Sequence, residues 1–454
     1  VESDALMNYA HFLLACATSI AASSAAHADA ASNQSSPALR PHPATVGVGL
    51  ELNRWLRQSR ARTLQPAEVS AAIALAGIAV LAPAILILEE RVLPPIDAGE
   101  PQILSEPQEA QILEALRALP PHAVLDAARA HLVQQGAEHA SLAARLAVVR
   151  AVGTCGKYAT LGWLCGLIAS DGTRELEAGV ERTLASSARE ILHRDPDGMR
   201  ALAFDWQRLP RATMPAVVAA AGADGDPRAL PLLGEVLMQR PDLVRLTLSE
   251  LARQHAPDGI PRPLLDELHE RLTIEQPMEC RAACNALAAL GDFSAADKLV
   301  ELLAAPEDGI RATAHQALQT LSAMQLPVEI AGWQCWLTNE RSWYESNEAA
   351  LERALEADSA QEAMDALAEI AEHHWERHHL SDLVARTLER DDRDVRLRAC
   401  QVLRMLSSPR AHKALAALAQ IDDAELSAAA RSALSALPSS EATIAARTPI
   451  ALHD

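Results

Sequence analysis

Two stretches of this chain repeat one another in outline, and that repetition constrains the fold more than any other feature. Glu279-Cys280-Arg281-Ala282-Ala283-Cys284 leads to Leu287 and Leu290, then to Gly291-Asp292, then to a second run with Ala295, Leu299, Leu302 and Leu303. Asp394-Val395-Arg396-Leu397-Arg398-Ala399-Cys400 leads in the same way to Leu403 and Leu406, then to Ser407-Ser408-Pro409, then to Ala411, Leu415 and Leu418. A unit of about thirty residues built from two short amphipathic helices cannot bury its apolar stripe alone. It must stack on its neighbours, which predicts an all-α solenoid of helical-hairpin repeats. The array is placed at residues 100–438. Before it come a leader and flexible linker with a basic amphipathic segment (1–66) and an apolar helix (67–90), and after it a disordered tail (439–454).

Composition agrees with thin helical layers. Of all residues 49% are apolar and only 3% aromatic, so the core must be built mainly from Ala and Leu, both good helix formers. Turn signals recur at Asp195-Pro196-Asp197-Gly198, Gly225-Asp226-Pro227, Pro257-Asp258-Gly259, Pro306-Glu307-Asp308-Gly309, Asp391-Asp392 and Asp422-Asp423. An Asp at a helix start accepts hydrogen bonds from free amides and complements the positive dipole end, so these acidic turns read first as caps. Val395 with Ala399, and Ile310 with Ala314, occupy inward i, i+4 positions. Arg281, Arg311 and Arg396 recur beside them, and the expectation is a bond from each to a carbonyl or carboxylate of the next repeat.

This pattern resembles the HEAT-like repeats of the phycobilisome-lyase type, which are widespread in bacteria. It is clearest at 277–322 and 392–437. The resemblance implies an α-solenoid; its members include chromophore lyases, deoxyhypusine hydroxylase and many scaffolds. The hydroxylase holds two irons with several His-Glu dyads. Here only His269-Glu270 has that form, so the resemblance does not carry that activity over.

The charge is −20 overall, with 34 basic against 52 acidic residues beyond position 99. Such a surface repels phosphate backbones, which argues against nucleic acid and for a basic or amphipathic protein partner. The seven cysteines (Cys16, Cys155, Cys165, Cys280, Cys284, Cys335 and Cys400) include no C-x-x-C pair and read as buried small hydrophobes.

The N-terminal part points towards a membrane, with conflicting signals. Phe12 to Ala28 ends in Ala26-His27-Ala28, a small-x-small pattern like a signal-peptidase site, but no Lys or Arg precedes it; signal peptide, first span and plain leader all remain open. Residues 29–47 are rich in Ser, Pro, Ala and His and read as a linker. Leu52, Trp55 and Leu56 share one helical face and Arg54, Arg57 and Arg60 another, as suits an anionic membrane surface. Val69 to Leu88 holds twenty consecutive uncharged residues, the length of a membrane span, with a buried helix of the array as the alternative. The arginine bias before this stretch places the array on the periplasmic side of a bacterial inner membrane. A cytoplasmic array is the alternative.

Three places stand out as candidate sites. Trp333, Trp336, Trp343 and Tyr344 gather four of the chain's thirteen aromatics within twelve residues. They read either as the bulky core of a widened junction or as a part-exposed groove that anchors a peptide. The acidic turn of Asp391, Asp392 and Asp394 is a candidate for steering a basic partner. In His373-His374-Trp375-Glu376-Arg377-His378-His379, His374 and His378 have the i, i+4 spacing that on one helix could share a metal, against the alternative of solvated histidines at a helix end. No Gly-rich phosphate loop or G-x-S-x-G elbow occurs, and the chain calls for no catalytic residues and no cofactor. The function expected is a non-enzymatic protein-interaction scaffold, the alternative being a lyase-like or metal-dependent accessory enzyme acting on a protein-bound group.

Overall fold

The computed structural model describes residues 43–60, 76–93, 101–136, 140–169, 175–256 and 259–437. The leader at 1–28, residues 29–42 of the expected linker, the first part of the apolar stretch (69–75) and the tail at 439–454 lie outside the described residues. The chain divides into two compact units, Val1–Gly198 with Arg208–Ala216, and Met199–Gln207 with Val217–Asp454.

The first unit contains α1 (Pro43–Arg60), α2 (Leu81–Glu90), α3 (Glu106–Arg117), α4 (Pro121–Gln134), α5 (Leu142–Gly153), α6 (Tyr158–Ile168) and α7 (Ala178–Arg194). A two-residue antiparallel pair, β1 (Val92–Leu93) and β2 (Gln102–Ile103), bridges α2 and α3, with Val92 opposite Ile103. Each helix packs on its sequence neighbour or on the helix two along, with α5 on α7 the most extensive contact and α2 seated on α4 and α5.

Here the structure corrects the membrane expectations. Among the described residues no helix is long and apolar enough to cross a membrane. Within the stretch that reads as a span, Gly77 takes φ +61° and leads into a short 3-10 turn, so the following α helix starts only at Leu81. Its ten residues extend about 15 Å, half the hydrocarbon thickness. Pro83 then lies in the first helical turn, where its missing N–H leaves no bond unmade. Val80, Leu81, Ala84, Ile85, Ile87 and Leu88 are buried in protein. The basic amphipathic segment is part of the same layer: Leu52 and Leu56 are fully buried, and Arg57 donates to the Leu93 carbonyl at 3.2 Å. The face that reads as membrane-seeking is the core face of α1, and α1 begins at Pro43, inside the expected linker.

The unit boundary falls within α8 (Pro196–Asp205) and α9 (Met214–Gly222). The second unit continues with α10 (Leu230–Gln239), α11 (Val244–Leu251), α12 (Arg262–Glu270), α13 (Pro277–Leu290), α14 (Ala296–Leu302), α15 (Asp308–Ser322) and α16 (Ile330–Glu356). It ends with α17 (Ala360–Ile370), α18 (Arg377–Arg386), α19 (Arg393–Leu406), α20 (His412–Leu418) and α21 (Ala424–Ala436). The most extensive contacts skip one helix, α13 on α15, α11 on α13 and α19 on α21, and α17 on α19 follows the same pattern. The intervening helices α10, α14, α18 and α20 pair with their successors. One face of each hairpin thus stacks on the next repeat, which makes this an all-α solenoid of HEAT-like helical pairs. Val395, Ala399, Ile310 and Ala314 are buried as their spacing requires.

The turns inside the repeats share one device. A left-handed residue (Gly225, Gly291, Ser407) is followed by a capping acceptor (Asp226, Asp292, Ser408) whose side chain takes the amide two residues on. A three-residue 3-10 turn then feeds α10, α14 and α20. Asp423 caps α21 in the same spirit, whereas Asp392 makes no side-chain cap and instead accepts from Arg390 at 3.3 Å. The recurrent arginines depart from expectation. Only Arg281 reaches another repeat, at 3.4 Å from the Thr313 hydroxyl; Arg311 turns back onto the carbonyls of Ala305 and Pro306, and Arg396 Nε is buried without a partner.

Gly291 tests the turn device. Its φ of +77° disfavours any side chain, and an added Cβ would stand 2.6 Å from His378 Cδ2. Gly291→Ala is expected to cost about 2–4 kcal/mol by urea unfolding, strain and overpacking together. Gly179→Ala, in open space on α7, should be neutral or stabilising by up to about 1 kcal/mol.

Candidate functional site

α16 runs for 27 residues, the longest helix described, and its inward face is spelled by Trp333, Leu337, Glu340, Leu351 and Leu355. Helical phase therefore divides the aromatic quartet. Trp333 is fully buried, donates Nε1–H to the Pro327 carbonyl at 2.9 Å and meets His315 and Trp336 edge-on. Trp336, Trp343 and Tyr344 are half-buried. Trp333 is core, as the first reading of the cluster has it, and the other three are part-exposed.

A buried carboxylate organises that junction. Glu340 Oε2 accepts the amides of His374 (2.8 Å) and Trp375 (3.0 Å), and its Oε1 lies 3.0 Å from His373 Nδ1. The turn between α17 and α18 is thereby pinned to the middle of α16. His373 stacks flat on Trp343, centroids 3.5 Å apart and 8° from parallel, while Trp343 donates to Glu369 at 3.0 Å.

On the other side of the turn lies a cleft of ≈ 440 Å³. Trp375 is its floor, packed edge-on against Phe293 with the Arg341 guanidinium 5.0 Å above the indole. Tyr344 donates its hydroxyl to Glu348 at 2.7 Å, and His379 Nε2 lies 3.3 Å from the same carboxylate. Burial and the carboxylates of Glu348, Glu376 and Glu352 push the Tyr344 phenol up, so it stays a donor. Glu345, Glu376 and Arg410 complete the lining. Glu376 holds a left-handed backbone (φ 50°) as the residue before α18. Burial first, then the charges of Asp292 and Glu348, push its carboxyl up to about 7 against the pull of Arg410.

The histidine run does not form the shared site that its spacing suggests. α18 starts at Arg377 and Glu376 breaks the helix, so His374 and His378 are not i, i+4 on one helix. His374 belongs to the pinned turn and its Nδ1 is buried without a partner; burial lowers its pKa. His378 is buried with Nδ1 2.8 Å from the Ser408 hydroxyl, and burial also drives its pKa well down. Among the described residues no group of three or more His, Cys, Asp or Glu could hold a metal. His269, from the lone His-Glu dyad, lies 2.6 Å from the capping carboxylate of Asp292. Of the cysteines, five of the six described are buried and Cys335 is exposed; Cys16 lies outside the described residues.

The residue that sequence reasoning missed is Arg377. Only 6% exposed, it donates to the carbonyls of Thr320 and Leu321 at the end of α15 and of Leu406 and Ser407 at the end of α19, at 2.7–2.9 Å. Its place in a run of histidines disguised it as surface. Asp391 and Asp394 are exposed at the start of α19 and Asp392 is half-buried; none of the three lines the cleft.

No protein-family model and no curated protein matches this chain. Among solved structures it is similar to an engineered protein from a structural genomics consortium, at 16% identity over 86% of this chain and 98% of that one, with a TM-score of 0.25. It is also similar to Kap121p, at 12% identity over 88% of this chain and 48% of that one (TM-score 0.31), and to a mutant of Kap121p (0.32). The chain thus spans about half the length of Kap121p. At these scores the likeness carries no functional argument.

Two outcomes follow from the geometry. Trp333→Ala should cost about 3–5 kcal/mol in urea unfolding, and Trp343→Ala clearly less because its ring is half in solvent. The raised Glu376 carboxyl gives stability that is complete below about 4.5, its ordinary value, and is lost as pH rises through about 7. Glu376→Gln should therefore be more stable than wild type at pH 8, by about 1–3 kcal/mol, with the difference vanishing near pH 5.

Proposed function

We propose that this chain is a non-enzymatic protein-interaction scaffold whose second unit docks a basic or amphipathic segment of a partner at the junction of α16 and α18. The observation that carries this is the cleft itself: an aromatic floor and wall, Trp375 and Tyr344, beside the carboxylates of Glu345, Glu348 and Glu376. Aromatic anchors next to charge are the usual make-up of a binding hot spot, and a guanidinium or ammonium can satisfy ring face and carboxylate together. The half-exposed Trp336 and Trp343, outside the cleft on the same helix, extend the apolar contact, and the acidic turn of Asp391, Asp392 and Asp394 adds long-range attraction.

The enzyme alternative finds no support in the placement of His374 and His378, and Val80, Leu81, Ala84, Ile85, Ile87 and Leu88 of the apolar stretch face the core of the first unit.

A fluorescein-labelled tetra-arginine amide tests the docking by anisotropy. Wild type should bind it, more weakly as salt rises, and a tetra-glutamate peptide should not bind. Glu345→Lys with Glu348→Lys should weaken binding at least tenfold. Reversing Asp391 and Asp394 to Lys should mainly slow association and flatten its salt dependence. Equal binding of both peptides, or binding insensitive to salt, overturns the proposal.

A further inference from the structure

Glu376 is held at a fixed place on the wall of this cleft. The residues before it, His374 and Trp375, give their amides to Glu340, and the residue after it is the buried Arg377 clamp. Its left-handed backbone is thus fixed from both sides, and the carboxyl has little room to seek another environment. Around it the charges are unequally free. From the turn before α14 comes the Asp292 carboxylate, carrying His269, and from α16 come Glu345 and Glu348. The cations facing it all have other acceptors. Arg341 pairs with Asp297 at 2.9 Å, Arg410 with Asp382 at 3.0 Å and with the Ala256 carbonyl, and His379 of α18 lies on Glu348. The Tyr344 hydroxyl is also committed to Glu348. Among the described residues Glu376 has no ion pair within 4 Å and no hydrogen bond to its carboxyl.

Resting on the docking function proposed above, we infer that Glu376 makes the cleft a proton-gated site, protonated when empty near neutral pH and giving up that proton to take a guanidinium or ammonium group of the partner. Like charges nearby and no counter-ion of its own favour the neutral acid, in line with its raised pKa. An incoming cation supplies the missing partner, so the O–H proton passes to solvent and the carboxylate accepts hydrogen bonds from the bound group. Binding is then an exchange of a proton for a cation, and by linkage it strengthens as pH rises. The device needs no conformational change, because the wall that carries Glu376 is already fixed.

The test uses the full chain and the tetra-arginine amide, titrated at constant ionic strength from pH 6 to 8.5. Wild-type affinity should rise at least about fivefold across pH 6–8, and calorimetry in two buffers of different ionisation enthalpy should show release of about half a proton per peptide near pH 7. Glu376→Gln should bind with an affinity that varies little over the same range. His379→Gln should keep the wild-type pH dependence, since its imidazole lies on Glu348 rather than on Glu376. Binding that is equally strong at pH 6 and 8, with no proton released by wild type, overturns the gate while leaving docking intact. No binding at any pH overturns docking, and the gate with it. A pH dependence that survives in Glu376→Gln and disappears in His379→Gln also overturns the assignment to Glu376. The proton-release measurement needs no variant, so it decides even if Glu376→Gln folds poorly.

Discussion

A guanidinium with no carboxylate partner among the described residues, buried between the carboxyl ends of two helices, is the interaction on which the second unit's candidate site depends. Arg377 gathers the carbonyls of Thr320, Leu321, Leu406 and Ser407, all orphaned where α15 and α19 end. Those ends carry the negative pole of each helix, so the cation is compensated by dipoles rather than by a formal charge. The compensation is incomplete: burial lowers its pKa to about 10, still far above neutrality, so the charge stays. Lysine could not replace it, because one ammonium cannot present a planar fork to two pairs of acceptors on opposite sides. Because Arg377 cannot move, its neighbours are directed. Glu376 is turned out into the cleft and His378 is turned in against Gly291 and Ser408.

Glu340 supplies the matching constraint from the other side. It is a buried carboxylate that binds two backbone amides and lies beside an imidazole, tying the turn after α17 to the centre of α16. Polar groups this deep are expensive unless fully bonded, and here the bonds specify one register of α16 against the turn. Extra length in α16 then has a clear consequence. Its N-terminal half is sealed into the core by Trp333, its middle carries Glu340, and the next turn presents Trp343, Tyr344, Glu345 and Glu348 at the surface.

Much of this was legible in the sequence where the physics is local. The repeat, the buried pairs Val395/Ala399 and Ile310/Ala314, and the capping roles of Asp226 and Asp423 all follow from helical periodicity and from backbone hydrogen-bond demand. What stayed hidden depends on partners far along the chain. Hydropathy marks Val80, Leu81, Ile85, Leu88, Leu52 and Leu56 as apolar, but not whether they enter lipid or protein; Gly77 and the contact between α1 and α2 place these six in protein. Trp343 follows Trp333 by ten residues, about 80° around the helix, and that angle separates core from surface. The i, i+4 spacing of His374 and His378 presumed a helix that the left-handed Glu376 interrupts.

That interruption is what turns a repeat into a site. In an unbroken helix, Glu376 would follow Trp375 around the axis, and Arg377 could not reach two helix ends at once. With one residue left-handed, three consecutive side chains are sent to three different places: an indole to the floor, a carboxyl to the wall and a guanidinium into the core. Strain at a non-glycine left-handed residue costs of order 1 kcal/mol, and the four bonds of Arg377 and three contacts of Glu340 more than offset it. A wall fixed in this way has already lost its conformational entropy before any partner arrives. For the docking proposed above, a partner segment would give up only its own freedom, so a shallow, charged cleft could gain affinity without a large buried area.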